Sequence, residues 1–135
     1  MPAVQSDYGF YRTMFRDKTA SFIVAAADTA TITDAITPRS ASYTVFVQRI
    51  TLSVITDAAQ SLTFQDDAAT PVLIAKSPAS PGLGVEIVAD FGPAGRGLTA
   101  GTNLDVVISG AGLACKGNIE AYERLTAAVA AGSTN

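Results

Sequence analysis

Histidine and tryptophan are absent from this chain of 135 residues, and cysteine occurs once, at Cys115. Each absence removes a class of chemistry. Without histidine there is no imidazole base for a triad, no proton shuttle titrating near neutrality and no His-ligated metal. A single cysteine excludes a disulfide framework, a CxxC redox pair and a cysteine zinc cluster, and fits synthesis in a reducing cytoplasm. Charge is scarce as well: 16% of residues are Asp, Glu, Lys or Arg, against about 25% in ordinary globular chains. Nine basic against twelve acidic residues leave a net charge of −3, so there is no basic stripe to neutralise a nucleic-acid backbone. No run of about eighteen uncharged apolar residues is present to cross a membrane as a helix. The first eighteen residues hold five charges and no apolar run, which argues against a secretory signal.

What the chain does contain is 48% hydrophobic residues, enough for a domain of this length to bury roughly two thirds of its unfolded surface without covalent staples. Residues 1–19 stand apart. They carry Tyr8, Phe10, Tyr11 and Phe15, four of the ten aromatics, interleaved with Arg12, Arg16 and Lys18. A solvated tail is normally poor in aromatics, so this arm is expected to dock, either on its own domain's flank or on a neighbouring subunit.

From residue 20 onward Thr, Val and Ile dominate, with Gly, Pro and Asp punctuating every eight to twelve residues. That rhythm predicts strands at 20–26, 29–33, 41–47, 50–56, 61–65, 71–76, 84–91, 103–109 and 113–125. The predicted fold is all-β, an antiparallel two-sheet sandwich of jelly-roll type with an N-terminal arm. Its parts are the arm (1–19), the sandwich (20–125) and a flexible C-terminal tail (126–135), whose Ala-rich start has no apolar face to bury.

Side-chain parity assigns the faces. Tyr43, Val45 and Val47 share one side, but from residue 50 the apolar parity is carried by Ile50, Leu52 and Val54. A one-residue slip at Gln48–Arg49 marks a β-bulge or a strand bending between two sheets. Leu62 and Phe64, then Leu104, Val106 and Ile108, point inward. The last strand places Cys115, Gly117, Ile119 and Ala121 inward, with Lys116, Asn118, Glu120, Tyr122 and Arg124 outward, so Cys115 reads as a small core residue. Turn residues at 57–60, 66–70, 80–82 and 110–112 predict antiparallel strands joined by hairpins.

Candidates for chemistry are few. The segment Gly92–Gly101, GPAGRGLTAG, lacks the GK[ST] ending of a phosphate loop and lies between two strands, so it reads as a long connection anchored by Leu98. Three acid pairs present themselves: Asp66 with Asp67, Glu86 with Asp90, and Glu120 with Glu123. The first falls in a turn, where Asp serves its own backbone, and lacks the spacing of a calcium loop; the second lies on an outward face. None comes with the aromatic platforms of a sugar cleft. A Ser–Lys arrangement remains open in composition, with nothing to mark one serine above another. The reading is therefore non-enzymatic, with no cofactor and no metal. The low-charge, Thr- and Ala-rich exterior leans towards a subunit that hides its surface in contacts.

Residues 43–125 carry the phrases VQRITLSV (47–54), LTFQD (62–66), PVLIA (71–75), SPGLG (80–84), FGP (91–93), LTAG (98–101), NLDV (103–106) and IEAYER (119–124). In phrasing and strand rhythm this stretch resembles the small β-sandwich head decoration (cement) and head-fibre proteins of tailed bacteriophages. The resemblance implies a virion structural protein on the outer capsid surface, bound to the major capsid protein and often trimeric, with no membrane or nucleic-acid partner and no catalytic residues to carry over. It leaves residues 1–42 uncovered. Tyr and Arg are favoured interface residues, so Tyr8, Phe10, Tyr11, Arg12, Phe15 and Arg16 are the expected partner-binding residues. Two alternatives stand beside this: the arm completes a sheet edge, and the module binds a receptor or glycan from a head fibre or tail.

Overall fold

Alternating apolar and polar residues are realised as strands throughout the computed structural model, which describes residues 15–29 and 31–126. The strands are β1 (Phe15–Asp17), β2 (Ala20–Val24), β3 (Thr31–Ile36), β4 (Tyr43–Thr56), β5 (Leu62–Asp66), β6 (Leu73–Lys76), β7 (Glu86–Asp90), β8 (Arg96–Gly97), β9 (Leu104–Ile108) and β10 (Ala114–Leu125). All pairings are antiparallel. One sheet runs β2-β10-β4-β7, with β1 continuing the β2 edge along β10 and β8 pairing with β4; the other runs β3-β9-β5-β6.

The pairings nest. The chain reverses at the β5–β6 hairpin, and each strand before the reversal pairs with its counterpart after it: β5 with β6, β4 with β7, β3 with β9, β2 with β10. The resulting double ribbon is wound into two layers that close side by side through β4–β10 and β5–β9. This is the jelly-roll topology. Of the expected hairpins, only the 66–70 turn joins paired neighbours. The connections at 57–60, 80–82 and 110–112 instead carry the chain from one sheet to the other. The turn residues set where the chain reverses, whereas covering two apolar faces about 10 Å apart decides where it goes next.

The slip at Gln48–Arg49 is a bulge: Glu120 faces Arg49 while Ala121 faces Val47, leaving Gln48 without an opposite number. Residues 43–56 therefore form one strand inside one sheet rather than a corner between two, because β10 runs beside them for their whole length. Each half of the strand keeps its apolar side inward, with Val45, Val47, Ile50 and Leu52 at most 2% exposed. β2 stops at Val24, where the Asp28 carboxylate accepts the Ala25 N–H at 2.8 Å and closes a turn. Two strands were not anticipated. β8 lies inside the glycine-rich segment, and β1 lies inside the stretch read as the arm.

Phe22 of one sheet meets Phe64 of the other edge to ring, with centroids 5.5 Å apart, and this contact links the layers across the core. Such pairs add about 0.5–1.5 kcal/mol beyond burial. Phe22 also lies over Gly117, where a Cβ would overlap the Thr51 carbonyl and sit 2.9 Å from the ring. Gly117→Ala should therefore destabilise the domain by about 1–3 kcal/mol, read as a lower thermal midpoint. Cys115 is fully buried; burial, then the charge of Asp57, pushes its thiol up, which makes it an inert core residue.

Candidate functional site

The two ends of the sandwich differ in chemistry. At the basal end lie the loops 37–42, 67–72 and 98–103, together with the first and last described strands. Here two carboxylates are fully buried, and each ties loops to strands. Glu123 has the inward parity of Ile119 and Ala121. Its Oε1 accepts the Arg39 backbone N–H at 2.8 Å, its Oε2 accepts Arg39 Nε–H at 3.0 Å, and Lys18 Nζ stands 3.7 Å from Oε1. Arg39 also donates to Tyr43 Oη at 2.9 Å and lies over the Tyr43 ring. One carboxylate thus joins the β3–β4 loop, β10 and the residue that follows β1.

Asp66 ends β5. Its Oδ1 accepts N–H groups from Ala68 at 3.2 Å and Val72 at 2.9 Å, and its Oδ2 accepts that of Thr99 at 2.8 Å. Burial by itself raises its pKa, but these donors and the Thr99 hydroxyl outweigh burial, so the carboxyl lies below the ordinary carboxylate range. Next to it, Asp67 accepts both the backbone and side-chain N–H of Asn103 at 3.0 Å. These two carboxylates are structural acceptors for the protein's own loops.

The other acid pairs are also dispersed. Glu86 and Asp90 stand exposed on the edge strand β7, with Asp90 accepting the Gly92 N–H at 2.9 Å. Glu120 is exposed while Glu123 is buried, because three residues separate opposite faces of a strand. Among the described residues no three Asp, Glu or Cys side chains converge as a metal site would require.

The glycine-rich segment is a strap between the sheets. Gly92, Gly95 and Gly101 adopt positive φ, and Leu98 is buried as expected. Sequence reasoning passed over Arg96, which lies over the Phe91 ring and donates Nη1–H to the Ile74 carbonyl of β6 at 2.8 Å. Its only signal was one cation among glycines. On the outer face beside the strap, Phe46 stacks on Tyr122 at 5.2 Å and 12°, and Tyr122 Oη donates to the Ala94 carbonyl at 2.7 Å. Burial raises the Tyr122 pKa, against a smaller lowering by Arg124.

At the distal end the connections 25–29, 57–61, 77–85 and 109–113 meet with no buried charge among the described residues. Apolar side chains face solvent there: Ile23 and Leu83 are 71% exposed, and Ile55 and Val85 are also open. Alanines 25–27, 59, 79 and 111 surround them and are exposed as well. Across the outer face of the β2-β10-β4-β7 sheet, Ser21, Ile23, Ser53, Glu86, Lys116 and Asn118 line a shallow groove of about 410 Å³, polar and apolar side chains together.

Of the expected partner-binding residues, Tyr8, Phe10, Tyr11 and Arg12 lie outside the described residues. Phe15 and Arg16 belong to β1, in register with Arg124 and Glu123 of β10. The base of the arm is therefore a strand of the sandwich. Its chain direction places Phe15, the first described residue, at the basal end, on the β1/β2 edge. Of the tail, Thr126 lies at the basal end, bonded to Ser42 and Thr44, and residues 127–135 lie outside the described residues.

No protein family matches the chain, and no curated protein is detectably similar to it. Solved structures overlap it. A chain from the virus-like particle of giant freshwater prawn Macrobrachium rosenbergii extra small virus does so with TM-score 0.34 and 11% identity, over 80% of this chain and 79% of that one. A chain from infectious bursal disease virus, Gt strain, does so with TM-score 0.40 and 13% identity, over 82% of this chain. This chain spans 33% of that longer one.

Proposed function

We propose that the protein is a non-enzymatic structural subunit of a virus particle, and within that class a head decoration subunit that binds the major capsid protein lattice from outside and reinforces the shell. The observation that carries this reading is the polarity of the sandwich. Its buried carboxylates brace one end from within, while the other end presents apolar side chains in loops. Of the seven large apolar side chains exposed among the described residues, Ile23, Ile55, Leu83 and Val85 gather at that end, against Val72 and Leu73 at the other, and such a gathering marks a contact surface. The phage-like phrasing of residues 43–125 supports the same reading, and the arm remains the proposed partner-binding segment. Contacts of about 800 Å² per partner, repeated by symmetry, reinforce a shell far beyond any single one.

The test is to mix the purified protein with empty shells of its source virus and pellet them. Co-sedimentation saturating at a lattice-defined stoichiometry is the expected result, and Leu83→Asp with Ile55→Asp should weaken it at least tenfold. A protein that stays in the supernatant at all concentrations would sink the reading. The groove, with Ser21, Glu86, Lys116 and Asn118 in its wall, favours a second reading, a glycan-binding module, which predicts instead binding to host surface carbohydrate in the absence of shells and its loss in Asn118→Ala.

A further inference from the structure

We propose that the N-terminal arm of one copy docks on the β6–β7 flank of a second copy, adding a strand beside β7 and linking subunits head to tail. This deepens the structural reading above by naming the arm's first partner as another copy of this chain. At that flank each sheet ends in a strand paired on one side only, β6 with β5 and β7 with β4. The two edges differ. The edge of β6 is occupied, because Arg96 takes the Ile74 carbonyl, and Lys76 adds a second cation. Beside it, an apolar cavity of about 40 Å³ reaches between the sheets past Ala75, Ala89 and Ile87. The edge of β7 carries only acidic charge, Glu86 and Asp90, on either side of Val88, which is 45% exposed.

This charge pattern selects the occupant. Two β7 strands pairing about Val88 would set Glu86 against Asp90, which like-charge repulsion disfavours. A segment with a cation amid aromatics is complementary. Residues 1–14 contain one such place, Tyr8-Gly-Phe-Tyr-Arg12, in which a strand would put Tyr8, Phe10 and Arg12 on one side and Tyr11 on the other. Connectivity selects a second copy. The arm starts from the β1/β2 edge, and the acceptor is the opposite edge of the same sheet. Copies set edge to edge therefore bring each arm to the next copy's β7, and such heterologous contacts form a ring when the rotation between copies closes. Fourteen extended residues reach roughly 46 Å, ample for the step.

Sedimentation equilibrium of the full chain, without shells, tests this. A discrete oligomer is expected. Deletion of residues 1–14 should raise its dissociation constant at least tenfold, as should Glu86→Arg with Val88→Arg, two exposed positions outside the core. Adding Arg12→Glu to the latter pair should restore association. Circular dichroism checks that each variant is folded. A wild-type chain that stays monomeric, or an oligomer indifferent to the deletion or to the β7 pair, would overturn the proposal, and failure of Arg12→Glu to restore association would overturn the Arg12 pairing. Shell binding is read separately: an arm-dependent oligomer that does not co-sediment keeps this inference and sinks the decoration role, and the converse result does the reverse.

Discussion

Asp66→Asn is expected to lower stability at neutral pH by about 3 kcal/mol, roughly 10 °C in thermal midpoint for a domain of this size. The carboxylate accepts three backbone N–H groups from two loops. An amide offers one oxygen and turns its NH₂ towards donors, so at least one buried N–H loses its acceptor. The same site makes stability depend on pH, with a definite sign. The folded-state pKa of Asp66 is depressed, so its contribution is fully present above the unfolded value of about 3.9 and is lost as pH falls through the lower folded value. Melts at pH 7, 5 and 3 should therefore show the gap between wild type and variant narrowing towards acid. Equal midpoints at pH 7 would show that the carboxylate does not brace these loops.

The second large effect concerns Glu123 and Arg39, and its asymmetry is the informative part. Arg39→Leu leaves the carboxylate, which is fully buried, with Lys18 at 3.7 Å as its remaining cation. That is the costly arrangement, about 3–4 kcal/mol. Glu123→Leu leaves Arg39, which keeps 31% exposure and its contacts with Tyr43, so the cost is smaller, about 2 kcal/mol. The double variant should be more stable than Arg39→Leu alone, since removing both charges also removes the desolvation penalty. Chemical denaturation of the three variants measures this. A double variant whose loss equals the sum of the singles would show that the pair does not act as a unit. Because Glu123 also reaches Lys18, hydrogen exchange at β1 should rise in Glu123→Leu, loosening the base from which the arm departs.

Most of the local structure could be read from the chain in order. The alternation around Leu62, Phe64, Leu104, Val106 and Ile108 placed strands and faces, and the parity slip at Gln48–Arg49 placed the bulge. Leu98 and Cys115 were recognisable as core. Glu123 was half visible: it continues the inward parity of Ile119 and Ala121, but an inward carboxylate makes sense only with a cation, and Arg39 lies 84 residues away. Asp66 looked like a turn aspartate, which it is towards Ala68; its bond to Thr99 crosses 33 residues. The bridge from Arg96 to Ile74 joins two sheets whose proximity no spacing announces.

By itself, then, the sequence determined what most segments would be, β1 and β8 excepted, because strand, bulge and turn depend on steric and solvation preferences within a few residues. It also removed imidazole chemistry and an internal disulfide, for this chain has no histidine and one cysteine. Only the tertiary structure decided which strands pair, that the connections at 57–60, 80–82 and 110–112 cross between sheets while 66–70 closes a hairpin, and that charge braces one end while apolar loops cap the other. Those outcomes depend on burying two faces at once, and that free energy belongs to contacts between residues far apart in the chain.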